Sequence, residues 1–186
     1  MENNFLSSAI KQFEYYKLLG EKTFNQLQDE KLFWQYNADS NSIATIVKHL
    51  HGNMLSRWTN FLTSDGEKEW RNRDAEFEND IQTKEQMLEL WNEGWQCLFT
   101  TLQSLIEEDL LKIIYIRNQG QTVTEAINRQ LCHYSYHVGQ IVFVGKMVCN
   151  ESWQSLSIPK GNSQQFNIEK FSQVKQIEHF TDKDLK

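Results

Sequence analysis

Apolar residues along the chain fall into four runs with the helical period. Leu6, Ile10, Phe13, Tyr16, Phe24 and Leu27 recur mostly every three or four residues, the spacing of one helix face, and predict a first helix over about 4–27. Ile43, Ile46, Val47, Leu50, Met54, Trp58 and Phe61 repeat the pattern, with cap-forming residues in 37–42 ahead of them, and predict a second helix over about 42–63. Thr83 with Gln86 has capping-box form and opens a third run, Met87, Leu90, Trp91, Trp95, Leu98, Leu102 and Leu105, over about 83–106. Thr122 with Glu125 does the same for a fourth, from Ala126 and Ile127 through Leu131, Tyr134, Val138, Ile141 and Val148, over about 122–149.

The connections differ in character. Residues 65–80, DGEKEWRNRDAEFEND, carry both charge signs and no apolar period apart from Trp70 and Phe77, and read as a long ordered loop. The short apolar piece 110–116 reads as a strand-like or extended segment lying on the helices. In the tail from 150 to 186, Trp153, Leu156, Ile158 and Pro159 are apolar enough to pack back over the helices, where WQSLSIPKG would serve as a lid. The last dozen residues, rich in Lys, Asp and Glu, read as a solvated terminus.

Composition narrows the class to all-α. One proline and 8 glycines among 186 residues are too few for an architecture of strands and tight turns, whereas long helices need neither. No tract separates two domains, and a length prior of about 150 residues per domain favours one, over 1–186. The pattern is that of a four-helix bundle with long connections. A net charge of −6 argues against a phosphate-neutralising face and so against nucleic-acid binding. No apolar run approaches the ~18 residues of a membrane span. The N-terminal stretch lacks the features of a signal peptide. Cys97, Cys132 and Cys149 are odd in number and unpaired in spacing, as in a reducing compartment, so a cytoplasmic protein is expected. Cys132 is read as a packed thiol.

The candidate chemistry lies in the histidines. His133 and His137 stand four apart, on one face of the fourth helix and about one turn from each other, as two ligands of one metal ion require. The second helix supplies His49 and His51, which point about 200° apart. The apolar face centres near Leu50 between them, so the helical wheel does not choose, and His51 stays beside His49 as a third ligand. HYSYH lacks the glutamate of a zinc-protease HExxH, and no Glu-x-x-His pair, CxxC, GxGxxG, P-loop or GxSxG occurs.

The strings IVKHLHGN and HYSYHVGQI resemble the histidine motifs of the DinB/YfiT-like metal-binding four-helix bundles. The longer strings SRWTNFLTSDGEKEWRNRDAEFE, EAINRQLCHYSYHVGQIVFVGK and WQSLSIPKGNSQQFN are similar to a mainly Bacillus-type branch of that superfamily. The resemblance implies that His49, His133 and His137 hold a divalent metal, nickel or zinc, and it selects His49 over His51. Three imidazoles leave a coordination position for substrate, as in catalytic sites. Similar proteins include metal-dependent thiol transferases that use bacillithiol or mycothiol, and a mycothiol-dependent isomerase. The expectation is therefore a metal-dependent enzyme of thiol-transferase or related hydrolase type acting on a small molecule. The alternatives are a non-catalytic metal-containing ligand-binding or stress-response protein and a purely structural interaction module.

Further candidates flank the motif. Asn53 and Gln140, each near a histidine, are candidates for orienting water or substrate, while Gln140 equally suits a hydrogen bond behind a ligand. Arg57, Arg73 and Lys160, with Arg71 and Asp74 near them, lie in the stretches that resemble the branch and could hold the carboxylates of a substrate or a thiol cofactor. The competing reading of RNRDAEFE is a loop fixed by its own ion pairs. Trp58, Trp91, Trp95 and Tyr134 are read as core. The apolar faces of four helices exceed one core and predict a homodimer.

Overall fold

A computed structural model describes residues 4–149 and 153–185, and they are mostly helical with one two-stranded sheet. Four long helices carry the structure: α1 (Phe5–Phe24), α2 (Ile43–Trp58), α3 (Lys84–Ser104) and α4 (Val123–Cys149). A strand pair, β1 (Ile113–Ile116) with β2 (Gln119–Thr122), precedes α4, and a short α5 (Ser163–Phe171) lies in the tail. Each long helix starts where a side chain satisfies an otherwise orphaned amide. Asn4 and Ser7 cap α1 reciprocally, Ser42 Oγ accepts the Thr45 amide at 3.0 Å, and Thr83 pairs with Gln86. Thr122 Oγ1 accepts from the Glu125 amide at 3.1 Å, while the Glu125 carboxylate accepts from the Thr122 amide at 2.7 Å.

α2 packs mainly on α3, and α1 on α4, with α2 also against α4. One aromatic ring from each long helix meets at the centre. Phe13 lies 6.3 Å from Trp58, 6.3 Å from Trp95 and 5.8 Å from Tyr134, ring centre to ring centre, and all four are buried. Edge-on and tilted contacts at these distances add to the burial of large apolar surface. The polar tips are also used: Trp58 Nε1 donates to Tyr134 Oη at 3.0 Å, and Tyr134 Oη donates to Asn53 Oδ1 at 3.0 Å.

Three expectations require correction. The second helix ends at Trp58, not near 63. Thr59 is extended and Asn60 has φ 50°, so the chain turns there, yet Phe61 stays buried beside Trp58 at 4.8 Å and continues the apolar period beyond the helix. The last dozen residues do not form a wholly solvated terminus. Thr181 is buried, Lys11 Nζ donates to Asp182 Oδ1 at 2.6 Å, and Phe180 meets Tyr15 at 5.8 Å, so this end docks on α1. Cys132 is exposed on α4 and does not pack.

The extended piece expected in 110–116 is β1 from Ile113 onward, paired antiparallel with β2. Its two-residue turn, Arg117–Asn118, has φ of 55° and 61°, as a tight hairpin requires. Asp65 holds that turn, accepting the Arg117 and Asn118 amides at 2.8 Å each. Among the described residues no helix is long and apolar enough to cross a membrane.

Candidate metal centre

The period of α2 turns its two histidines to different neighbours. His51 faces α3, where its Nε2 meets Glu93 Oε2 at 2.9 Å, and takes no part in the cluster. His49 faces α4 and meets both histidines there. His49 Nε2 lies 3.4 Å from His133 Nε2, and His137 Nε2 lies 3.1 Å from the same atom. Ligand atoms of His49, His133 and His137 all fall within 4.8 Å of one another, so the three could hold a metal ion.

The outer ring nitrogens explain this convergence. His49 Nδ1 lies 2.8 Å from Glu76 Oε2, His137 Nδ1 2.8 Å from Gln140 Oε1, and His133 Nδ1 3.3 Å from Gln130 Oε1. A carboxylate and two amide oxygens can only accept, so each Nδ1 carries the proton and each Nε2 presents a lone pair to the shared centre. Burial, reinforced by His137, His49 and the nearby Arg57 and Arg71, lowers His133 to about 3. Burial lowers His137 to about 4, with the Gln140 hydrogen bond opposing and His49 adding. Both are neutral near pH 7. The Nε2 lone pairs of His133 and His137, 3.1 Å apart, then have no proton between them. A tetrahedral cation with bonds of about 2.0–2.1 Å separates its nitrogen ligands by ~3.3 Å, so these distances fit one.

Glu76 comes from the charged loop, on a single 3₁₀ turn, Asp74–Phe77. Arg71 grips it with two parallel bonds, Nε to Oε1 at 2.7 Å and Nη2 to Oε2 at 2.9 Å, and both side chains are buried. Burial alone would raise the Glu76 pKa, but the hydrogen bonds from His49 and Arg71 outweigh it and hold the carboxyl below its usual range. Gly52 makes the approach feasible, because a Cβ there would stand 2.3 Å from Glu76 Oε1. Phe77 stacks on the His49 ring at 4.9 Å, and Lys48 ties the loop to α2 through the Ala75 carbonyl at 2.7 Å and Asp80 Oδ1 at 2.5 Å.

A cavity of about 310 Å³ opens beside the cluster, lined by the three histidines, Asn53, Phe77, Gln130 and several arginines. Asn53 lines it with Oδ1 already accepting from Tyr134, which leaves the donor end of its amide. Gln140 stands behind His137, at a separate surface cleft with Tyr136 and Phe143. Arg57 and Arg73 both line the cavity. Arg57 is buried and bonds the Gly66 carbonyl and Glu67 Oε2, the latter at 3.0 Å. Lys160 is exposed in the tail and is not among the lining residues. WQSLSIPKG does not cover the histidines. Gln154 meets Gln26, just beyond the end of α1, and Leu156, Ile158 and Pro159 line a different cavity with Tyr15. Trp58, Trp91, Trp95 and Tyr134 are core.

Sequence reasoning missed the outer partners Glu76 and Gln130 and the lining residues Arg117 and Arg129. One signal was available: Gln130 precedes His133 by three residues, as Gln140 follows His137 by three. Glu76 had none, since its loop has no period and its partner lies 27 residues away.

No curated protein and no solved structure matches the chain. The model of one protein family, described as "Protein of unknown function (DUF1572)", matches residues 1–162, and the chain belongs to that family.

Proposed function

We propose that this protein is a metal-dependent enzyme of thiol-transferase or related hydrolase type, built on a DinB-type four-helix bundle. Its centre is His49, His133 and His137 holding nickel or zinc, and its substrate is a small molecule. The observation that carries the reading is that all three Nε2 atoms turn inward while each Nδ1 is held by its own acceptor. Ligating imidazoles fixed in this way are typical of metal sites, where the outer bond sets tautomer and ring orientation. Membership of a DinB-like family supports the same assignment.

A bound divalent cation would supply Lewis acidity toward a thiol or water. The chain's own residues would do the rest. Glu76, held by Arg71, keeps His49 in the ligating tautomer. Gln130 and Gln140 do so for His133 and His137. Asn53 offers amide donors into the cavity, its acceptor end being fixed by Tyr134. A cavity of about 310 Å³ suits a small molecule rather than a polymer.

The test is elemental analysis of protein purified without an affinity tag, followed by assay of thiol-dependent consumption of a small electrophile, bacillithiol included. About one metal per chain, with turnover abolished by chelation and restored by nickel or zinc, is expected. No metal after reconstitution would overturn the reading. Metal without turnover for any thiol would leave the non-catalytic alternative, an ion that ties α2 to α4.

A further inference from the structure

The chain has five arginines, at 57, 71, 73, 117 and 129, among its 19 basic residues. All five line the cavity beside the three histidines, and none of the described lysines does. They arrive from four separate segments: α2, the charged loop, the hairpin turn and α4. An arginine's planar fork matches oxyanions in a way that a lysine's point charge does not, so segregation of this residue type alone is chemically specific.

Protein carboxylates account for only part of the charge. Glu67 accepts from Arg57 at 3.0 Å, Arg71 at 3.4 Å and Arg117 at 3.2 Å, and Glu76 takes the fork of Arg71. Two carboxylates thus answer five guanidinium groups, an excess of three positive charges in a chain of net charge −6. Arg73 and Arg129 have no acidic partner among the described residues. Arg73 lies over the Phe77 ring at 5.3 Å, and Phe77 in turn stacks on His49, so a guanidinium sits two layers from a candidate ligand. Arg129 is one helical turn before His133 on α4, on the face that carries both histidines. A second observation comes from the floor. Arg57 is 7% exposed, yet its Nε has no hydrogen-bond partner, and buried donors seldom stay unpaired. The outermost arginine is also positioned: Asp65 binds the backbone of the turn that carries Arg117 and leaves its guanidinium, 62% exposed, at the cavity.

We propose that this cavity is the recognition site for a small dianionic molecule, a dicarboxylate or a phosphate ester, held by Arg73 and Arg129 above the Arg57 floor beside the histidines. The inference names the substrate class of the enzyme proposed above and rests on that reading for the placement of the anion beside a metal. The anion site itself is made by protein groups alone, so its test does not need the ion.

The experiment is calorimetric titration of metal-free and zinc-loaded protein with three probes: succinate, glycerol phosphate and the uncharged succinamide. Either dianion is expected to bind the metal-free chain, with affinity falling as salt rises, while succinamide does not bind. Preference between the two dianions identifies the oxyanion. Arg73→Gln and Arg129→Gln are exposed substitutions and should leave the melting temperature unchanged, yet each should weaken dianion binding about tenfold, the size of one charge-assisted bond. Arg73→Lys and Arg129→Lys should recover only part of it. Lys160→Gln, remote from the cavity, should change nothing. No dianion binding at millimolar concentration, or equal binding by wild type and the folded double variant Arg73→Gln/Arg129→Gln, would overturn the proposal. Metal content separates the two readings, because arginine-dependent binding to a chain that takes no metal sinks the enzyme reading while sparing the anion site.

Discussion

Two cavities among the described residues contrast sharply, and the larger is chemically the poorer. About 680 Å³ lie between the tail and α1, walled by Tyr15, Leu156, Ile158, Pro159, Phe166 and Phe180 together with six polar residues, two of them acidic, and no histidine or arginine. The cavity beside the histidines has less than half that volume. What distinguishes it is direction: three histidines, five arginines and one amide end line it, and the histidines and the amide are each positioned by a hydrogen-bond partner. A space left between a packed tail and a helix costs the fold little. Burying polar groups with their lone pairs facing one another is unfavourable unless something occupies the centre.

The sharpest way to break the contrast is to remove a ligand. His49→Ala, His133→Ala and His137→Ala should each bring metal content from about one per chain to near zero. Variants in the tail cavity should leave it unchanged. Retention of full occupancy by any one of the three would take that histidine out of the centre. The next largest effect is expected at Glu76. Glu76→Gln keeps the shape but removes the charge that holds both His49 and Arg71, and loss of such an outer partner typically costs ~10–100-fold in metal affinity. It also leaves buried Arg71 with only its longer ion pair to Glu67 at 3.4 Å, for which a loss of up to ~3 kcal/mol of stability is the scale. Competition with a chelator measures the first effect and denaturant unfolding of the metal-free protein the second. An unchanged affinity would show that the charge of Glu76 adds nothing to the ligating strength of His49.

These effects also mark where the sequence stopped being informative. Helix starts were legible because capping is local: Thr83 with Gln86 and Thr122 with Glu125 lie three residues apart and bond as the spacing predicts. The pair His133 and His137 was legible for the same reason. The end of α2 was not, since Phe61 keeps the apolar period while the backbone has already turned at Asn60. The choice of His49 over His51 was invisible on the helical wheel, because both flank Leu50. In the structure the two are separated by what lies opposite them, Glu93 on α3 for His51 and His133 with Glu76 for His49. The docked C-terminal turn was missed because the residue it buries, Thr181, is polar.

Acidification tests the same contrast with a smaller, graded effect. Unfolded imidazoles titrate near 6.5, whereas His133 and His137 in the folded chain titrate at about 3 and about 4. Between those values the unfolded chain binds more protons than the folded one, so stability falls as pH is lowered. Glu76 acts in the same direction lower down: its folded pKa is depressed, and the stability it adds is lost as pH falls through that value. The melting temperature of the metal-free protein should therefore decline steadily from about pH 6.5 toward pH 4. In His133→Asn/His137→Asn the decline over the upper part of that window should largely vanish. A wild-type melting temperature that stays flat over this range would mean that the imidazoles are not buried as neutral bases.

The smallest effect is expected at the tail, and it decides whether the two cavities are independent. Ile158 and Phe166 are each about 40% exposed, so truncating either to alanine forfeits only part of the ~1.5–3 kcal/mol that full burial provides, and about 1 kcal/mol is the expected loss. Melting temperature should drop by a few degrees while metal content and anion affinity stay at wild-type values. The reasoning is geometric. The tail is held to α1 and the turn after it through Lys11 with Asp182 and Gln26 with Gln154, and neither contact touches a residue lining the histidine cavity. A fall in metal or dianion affinity in Ile158→Ala or Phe166→Ala would show instead that the tail reaches the centre in solution, which would make WQSLSIPKG the lid that its apolar residues predict.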